Sequence, residues 1–385
     1  MKLKPILIGI MILVFTGLSL YPWGKVRNGA AFYDNFESYV TNHLLEKSYT
    51  VWQSGADLDV KIVPSPVFSG KKAMQVTLNK PNEVNGSING SVYHNLHISS
   101  RNWNGANAIR YWIDNPGSSQ RMNINFKEQY NEYWAIGSQG PYFLQSVSGE
   151  LIQQEVHYEN IDIPSGYRGF VIIPLVSFSV PVWNTAIGNM EMDLGQIESF
   201  AIGVTLPAEL PQVFTVDDFE ILKNFPLYEI EIFGNQIISV PESGTKIESF
   251  QTNIRDLSTG EILPSSVSWS IIQSPDPAIT LDADGNLSVP NGSKTGRLTL
   301  EVVANVAGTR MVRQIMVRIY GIAPMPGEEA QTISLAPKSP MTEYDRISQA
   351  FEVWALQNRP LFVIAIIAVL IVLVAFLSRI ERGLK

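Results

Sequence analysis

The chain of 385 residues contains no cysteine. That absence removes disulfides, thiolate zinc sites and cysteine nucleophiles together, and in an exported protein it suits a bacterial surface. Charge is sparse at 17% of residues and its balance is acidic, with a formal net charge of −8, and no basic run makes a phosphate-binding stripe. Nucleic acid is therefore excluded as an expected partner. From Phe32 to Lys223 there is no long 3.6-residue apolar period, which removes a helical core. Catalytic constellations are missing too. His94 and His97 stand three apart in an extended segment and point to opposite faces, a poor metal pair. Ser87 and Ser91 each follow Asn-Gly and read as loop rather than nucleophile elbow. Asp114, Glu128 and Glu155 could serve glycoside hydrolysis only if folding set two of them across one bond, so the expectation is a protein that is not an enzyme.

What is present begins with an uncharged run near the C-terminus, Pro360 to Leu377, of about 18 residues. At 1.5 Å per residue it spans roughly 27 Å, enough for a bilayer core, and a backbone there satisfies its hydrogen bonds as a helix. We expect a transmembrane helix over 360–378. Arg379, Arg382 and Lys385 crowd its far end against Arg359 alone at the near end, which assigns the tail 379–385 to the cytoplasm. At the N-terminus Lys2 and Lys4 precede the apolar run Ile6 to Leu20, so 1–24 reads as a signal peptide or a retained membrane anchor. Tyr-Pro-Trp-Gly after Leu20 is a poor cleavage site, whereas Tyr21 and Trp23 suit a headgroup belt. Either outcome places the middle of the chain outside the cell membrane.

Between these ends the pattern is short alternating runs, such as AMQVTL at 73–78, AIRYWID at 108–114 and MNINFK at 122–127, separated by Gly, Asn, Pro and Ser. The fold class it predicts is all-β, a sandwich over 32–223. Such sheets bury one face and offer the other to water or a ligand. On AIRYWID, alternation sets Arg110, Trp112 and Asp114 on one face and Ile109, Tyr111 and Ile113 on the other. The first set mixes a flat ring with charged hydrogen-bonding groups, the composition of a glycan platform. Trp103, Trp112, Tyr130, Tyr133, Trp134, Tyr142 and Trp183 cluster in the central third of this region. Most of them are expected in the core, with Tyr133 and Trp134, in the polar run EQYNEYW, the exposed exceptions.

Four segments carry a more specific likeness. Asp34-Asn35-Phe36-Glu37-Ser38 opens the region and Val216-Asp217-Asp218-Phe219-Glu220 closes it; between them lie Gly70-Lys71-Lys72-Ala73-Met74 and the run Arg168 to Leu175. Together they resemble the galactose-binding-like jelly rolls of carbohydrate-binding modules, particularly those similar to family eleven. The resemblance implies a jelly-roll β-sandwich, a glycan ligand and a structural calcium, an ion that takes oxygen ligands. It assigns the ion to the side chains of Glu37 and Asp218 and the carbonyl of Lys71, with Asp34 and Asp217 in reserve. The alternative for these carboxylates is that they satisfy turn amides or face water.

From 226 to 321 a second β-rich region resembles a bacterial Ig-like domain of the invasin and intimin type. Ser268-Trp269-Ser270-Ile271 supplies a strand with a core tryptophan, and Asp282 to Val289 a turn into the next strand. The remainder reads as a Pro-rich linker over 322–342 and a juxtamembrane helix over 343–359, where Tyr344, Ile347, Phe351 and Trp354 recur at near-helical intervals. The whole is thus expected to be a membrane-anchored extracytoplasmic binding protein, with a glycan and the lipid bilayer as its partners. A structural component of an envelope or secretion complex, held by protein partners without glycan binding, is the alternative left open.

Overall fold

Runs of β-branched and aromatic residues broken by Gly, Pro and Asn fold as strands along the chain. The computed structural model describes residues 29–321 except 56, 80–88, 138–139, 158, 182, 185–187 and 206–209. All of the described residues fall within one compact unit of the chain. The expected N-terminal segment, the linker beyond residue 321, the juxtamembrane helix and the transmembrane helix all lie outside the described residues. Among the described residues no helix is long and apolar enough to cross a membrane. One short helix, Asn42–Ser48, starts where Thr41 accepts a hydrogen bond from the Leu44 amide.

Two sheets form the first sandwich. In the larger, the strands run in the order Asp57–Val63, Ala73–Asn79, Gln212–Lys223, Ala106–Asp114, Arg168–Pro174, Pro141–Gln145 and Leu151–Glu155, each antiparallel to the next. Ala30–Asp34 also pairs with the second half of Gln212–Lys223, so the opening and closing strands lie side by side. The smaller sheet runs Phe178–Ser179, Tyr133–Ile136, Gln120–Glu128, Ile197–Thr205, Asn89–Asn95 and Tyr49–Ser54, with Ile161–Ile163 beside Gln120–Glu128. Their inner faces share one core, in which Phe200 of the smaller sheet stacks on Phe219 of the larger at 4.1 Å between ring centroids. Ile109, Tyr111 and Ile113 belong to this core, as alternation requires.

Gln212–Lys223 is not regular along its length. Its register against Ala106–Asp114 shifts between Asp217 and Glu220, and Asp218 has φ 44°. Plain alternation would send Asp217 and Asp218 to opposite faces; at this bulge both carboxylates meet the same Phe68-Ser69 turn.

Residues 225–321 form a second β unit with its own core of Leu287, Leu298, Leu300, Ile315 and Val317. Trp269 packs against Phe250 at its side. Asp282 accepts hydrogen bonds from the amides of Asp284 and Asn286 and closes a turn at Gly285, whose φ of +85° and place against Trp269 leave no room for a side chain. The two sandwiches are joined rather than strung. Leu151–Glu155 pairs in parallel with Thr309–Tyr320, which makes the larger sheet a twelve-stranded one that runs through both. An apolar cluster spans the joint, Phe143, Leu151, Ile172 and Leu222 from one side and Leu227, Ile230, Val302 and Met311 from the other. Gln153 donates to the Ile230 carbonyl and accepts from the Ile230 amide, and Asn107 does the same with Phe225.

Candidate functional site

The joint decides the fate of the outer face of the larger sheet. Arg110, Trp112 and Asp114 stand in one row there, but each is engaged. Arg110 pairs with the buried Glu220, its Nε 2.7 Å from the carboxylate, and its guanidinium lies 4.9 Å from the Phe170 ring centroid and 5.6 Å from that of Phe225. Trp112 is 3% exposed, roofed by Arg168 at 5.4 Å and by Phe68 at 6.2 Å. Asp114 faces Arg168 at 3.4 Å. Phe225 at the joint covers Arg110, and Arg168 and the Phe68 turn cover Trp112 and Asp114, so the row offers a ligand no open ring. Trp134, expected to be exposed, is 7% exposed and belongs to the core, while its neighbour Tyr133 turns outward on the smaller sheet. The correction has a simple cause: neighbours on a strand face opposite ways, and the apolar partners of Trp134 lie inside.

The smaller sheet's outer face is open, and its strand register builds a trough there. Trp52 stands opposite Ser91, Ser91 opposite Gly203, and Gly203 opposite Asn123, a row across four strands. The next row runs Thr50, Tyr93, Ala201, Asn125 and Ala135. Its floor is therefore small, and at Gly203 an added Cβ would lie 2.9 Å from Ser91 Oγ. Aromatic walls stand on either side: Trp52 is 51% exposed and Trp183 48%, with Trp183 set edge-on against Tyr133 at 5.3 Å. Between them is a cleft of about 430 Å³ lined also by Asn89, Asn125, Glu159 and Thr205. Asn125 donates to Asn123 Oδ1 at 3.2 Å, and Asn123 donates to the Glu159 carbonyl, which fixes both amides. Asn89 Oδ1 is shut off from solvent with no hydrogen-bond partner among the described residues. Burial first, and Tyr133 second, raise the Tyr93 hydroxyl above its ordinary pKa, so it is a neutral donor. A larger cleft of about 690 Å³ lies at the joint, but Leu175, Val176, Phe225 and Leu227 give it mainly apolar walls and Asn107 there is already committed to Phe225.

Of the trough's residues, the sequence analysis names Trp183, Tyr133 and Ser91, and none of them as part of this face except through the exposure of Tyr133. The signal was available in NGSVYHN, where Ser91 and Tyr93 alternate with Val92 and His94, and in MNINFK, where Asn123 and Asn125 alternate with Ile124 and Phe126. Glu159 is the carboxylate that lines the trough among the described residues. Asp114 and Glu155 are paired with Arg168 and Arg313 on the other sheet, and Glu128 accepts from the Asp193 amide, its carboxyl pushed up to about 7 by burial.

Glu37, Lys71 and Asp218, which the resemblance assigns to calcium, do converge on the turn of residues 68–72. Their atoms are arranged otherwise than in an oxygen cage. Glu37 Oε1 accepts from the amides of Lys71 and Lys72, and Asp218 Oδ1 accepts from the hydroxyls of Tyr33 and Ser69. Asp217 accepts from the amides of Phe68 and Ser69, and Asp34 from Tyr39, Tyr49 and the Phe36 amide. Among the described residues no group of three or more His, Asp or Glu side chains is placed to hold a metal. As arranged, this donor set does not fit the ion.

No family model matches the chain. No curated protein matches it either. Among solved structures it is similar to the family 11 carbohydrate-binding module of the cellulosomal cellulase Lic26A-Cel5E of Clostridium thermocellum, at 16% identity and a TM-score of 0.33, over 49% of this chain and 92% of that one. A family 11 module from the same organism in complex with a beta-1,3-1,4-mixed-linked tetrasaccharide matches at 17% identity and 0.32, over 49% and 93%. The CBM22-1 xylan-binding domain of Paenibacillus barcinonensis Xyn10C matches at 11% and 0.26, over 50% and 94%. At these scores the likeness assigns no family and no ligand. The fold and the open face themselves define the class: a two-sheet antiparallel β-sandwich with an aromatic-walled polar trough, fused to a second β unit.

Proposed function

We propose that the protein binds a glycan, without transforming it, in the trough on the smaller sheet. The observation that carries this reading is the pairing of two half-exposed tryptophans, Trp52 and Trp183, with a floor of small residues and fixed amides between them. A sugar's C–H face packs on a flat ring while its hydroxyls seek amide and hydroxyl groups, and Tyr93, Asn123 and Asn125 line the trough with such groups. Glycoside hydrolysis uses two carboxyl groups across the bond, roughly 5 to 9.5 Å apart, and among the described residues Glu159 is the one carboxylate lining the trough. In this reading the second β unit, similar to an Ig-like domain, is the support, and the apolar run 360–378 anchors the protein in the cell membrane with its main domains outside and the tail 379–385 in the cytoplasm.

The test is retention of the detergent-solubilised full-length protein on a panel of polysaccharides. Trp52→Ala and Trp183→Ala should each weaken binding about tenfold, the scale of a lost ring contact. Glu155→Gln, on the other sheet, should bind as wild type. Failure of every glycan to bind, or tryptophan variants that bind like wild type, would overturn the reading. Retention of an envelope protein on the same trough would put the protein-interaction reading in its place.

A further inference from the structure

Where the opening and closing strands of the first sandwich meet, two segments exchange polar groups across a narrow gap. Glu37 sends its carboxylate to the backbone of the other segment: Oε1 lies 2.5 Å from the Lys71 amide and 2.7 Å from the Lys72 amide. Lys72 sends its ammonium back, with Nζ 3.2 Å from the Glu37 carbonyl and 3.1 Å from the Tyr39 carbonyl. Gly70 makes the exchange possible. Its φ is +69°, and a Cβ there would fall 2.3 Å from Glu37 Oε1.

A divalent ion closes a strand end of this kind by gathering carbonyl and carboxylate oxygens from both segments. An ammonium group is also a compact positive charge, with three donors that can take carbonyl oxygens. It occupies the Glu37 and Tyr39 carbonyls, while Glu37, Asp217 and Asp218 are each held by amides or hydroxyls. We propose that the Lys72 ammonium performs the cross-linking for which the resemblance invokes calcium, so that this end of the sandwich is closed by a cation of the chain itself and needs no divalent ion. The positive charge of Lys72 would also repel an incoming ion from those carbonyls. This inference does not rest on the glycan trough, which lies on the other sheet.

Thermal melting of the full-length protein in detergent, followed by circular dichroism with excess EGTA and then with added calcium, tests it. Wild type should melt at the same temperature in both, and Lys72→Met should melt about 4 °C lower than Lys61→Met, a control at an exposed lysine. Calcium that raises the melting temperature of Lys72→Met but not of wild type would support the proposal further. Wild type that melts lower in EGTA and recovers with calcium would overturn it, as would Lys72→Met melting with the control. Should Lys72→Met fail to fold, Lys72→Gln, which keeps a donor and drops the charge, takes its place with the same outcomes.

Discussion

His94 is a polar residue at a core position of the Asn89–Asn95 strand, packed against Tyr49 at 4.4 Å and between Phe32 and Phe200. Burial lowers its pKa from 6.5 to about 3. A base that is harder to protonate folded than unfolded contributes stability that is complete above about 6.5 and is lost as pH falls toward 3, at about 1.4 kcal/mol per pH unit. Glu128 and Asp217 act in the opposite sense. Burial raises them to about 7 and about 6, so the stability linked to their protonation is present at low pH and lost as pH rises through those values. Because the raised acids, Asp34 and Glu229 among them, outnumber this one base, wild type should gain stability in urea unfolding as pH falls from 7 to 5, by less than the acids alone would give. His94→Phe should uncover the acids, and its stability relative to wild type should rise as pH falls across that window; a difference that does not change with pH would refute the buried neutral histidine. The same scale shows how unevenly the site could be read. In EQYNEYW two adjacent aromatics look alike, yet Tyr133 faces the trough side and Trp134 the core, a choice that strand phase makes and composition does not.

At the scale of elements, alternation predicted the division of Ala106–Asp114 well: Ile109, Tyr111 and Ile113 are core, and Arg110, Trp112 and Asp114 face away from it. It could not say what lies on the far side. That is settled by Leu151–Glu155, an outer strand of the first sandwich's own sheet that is paired by Thr309–Tyr320, with partners 160 positions apart in sequence. Gln153 sits at this seam. Gln153→Leu should orphan the buried Ile230 amide and cost about 1 to 3 kcal/mol in urea unfolding, whereas Gln273→Leu, at an exposed position in the second unit, should cost little. Equal losses would mean the seam is not held by this pair. The bulge at Asp217-Asp218 is another element-level feature that escapes alternation, since one extra residue reverses the phase on which the reading depends.

For the whole molecule, the shared apolar cluster and continuous sheet predict that both sandwiches unfold together. Tryptophan fluorescence and far-ultraviolet circular dichroism should give coincident transitions for a 29–321 fragment, and two separated transitions would contradict the fused joint. By the same argument a 29–224 fragment should associate, because cutting there uncovers Phe143, Leu151, Ile172 and Leu222; light scattering showing a stable monomer would tell against it. Sequence by itself determined that the described chain is nearly all β and which residues of AIRYWID are core, because side-chain direction has a period of two and is set locally. Only the tertiary structure decided which outward face remains open to a ligand. Arg110, Trp112 and Asp114 and the trough of Trp52, Ser91 and Asn123 are equally outward in the local pattern, and what separates them is the docking of segments far apart in the chain. Phe225, Arg168 and the Phe68 turn close over the one; the other, on the opposite sheet, keeps its cleft.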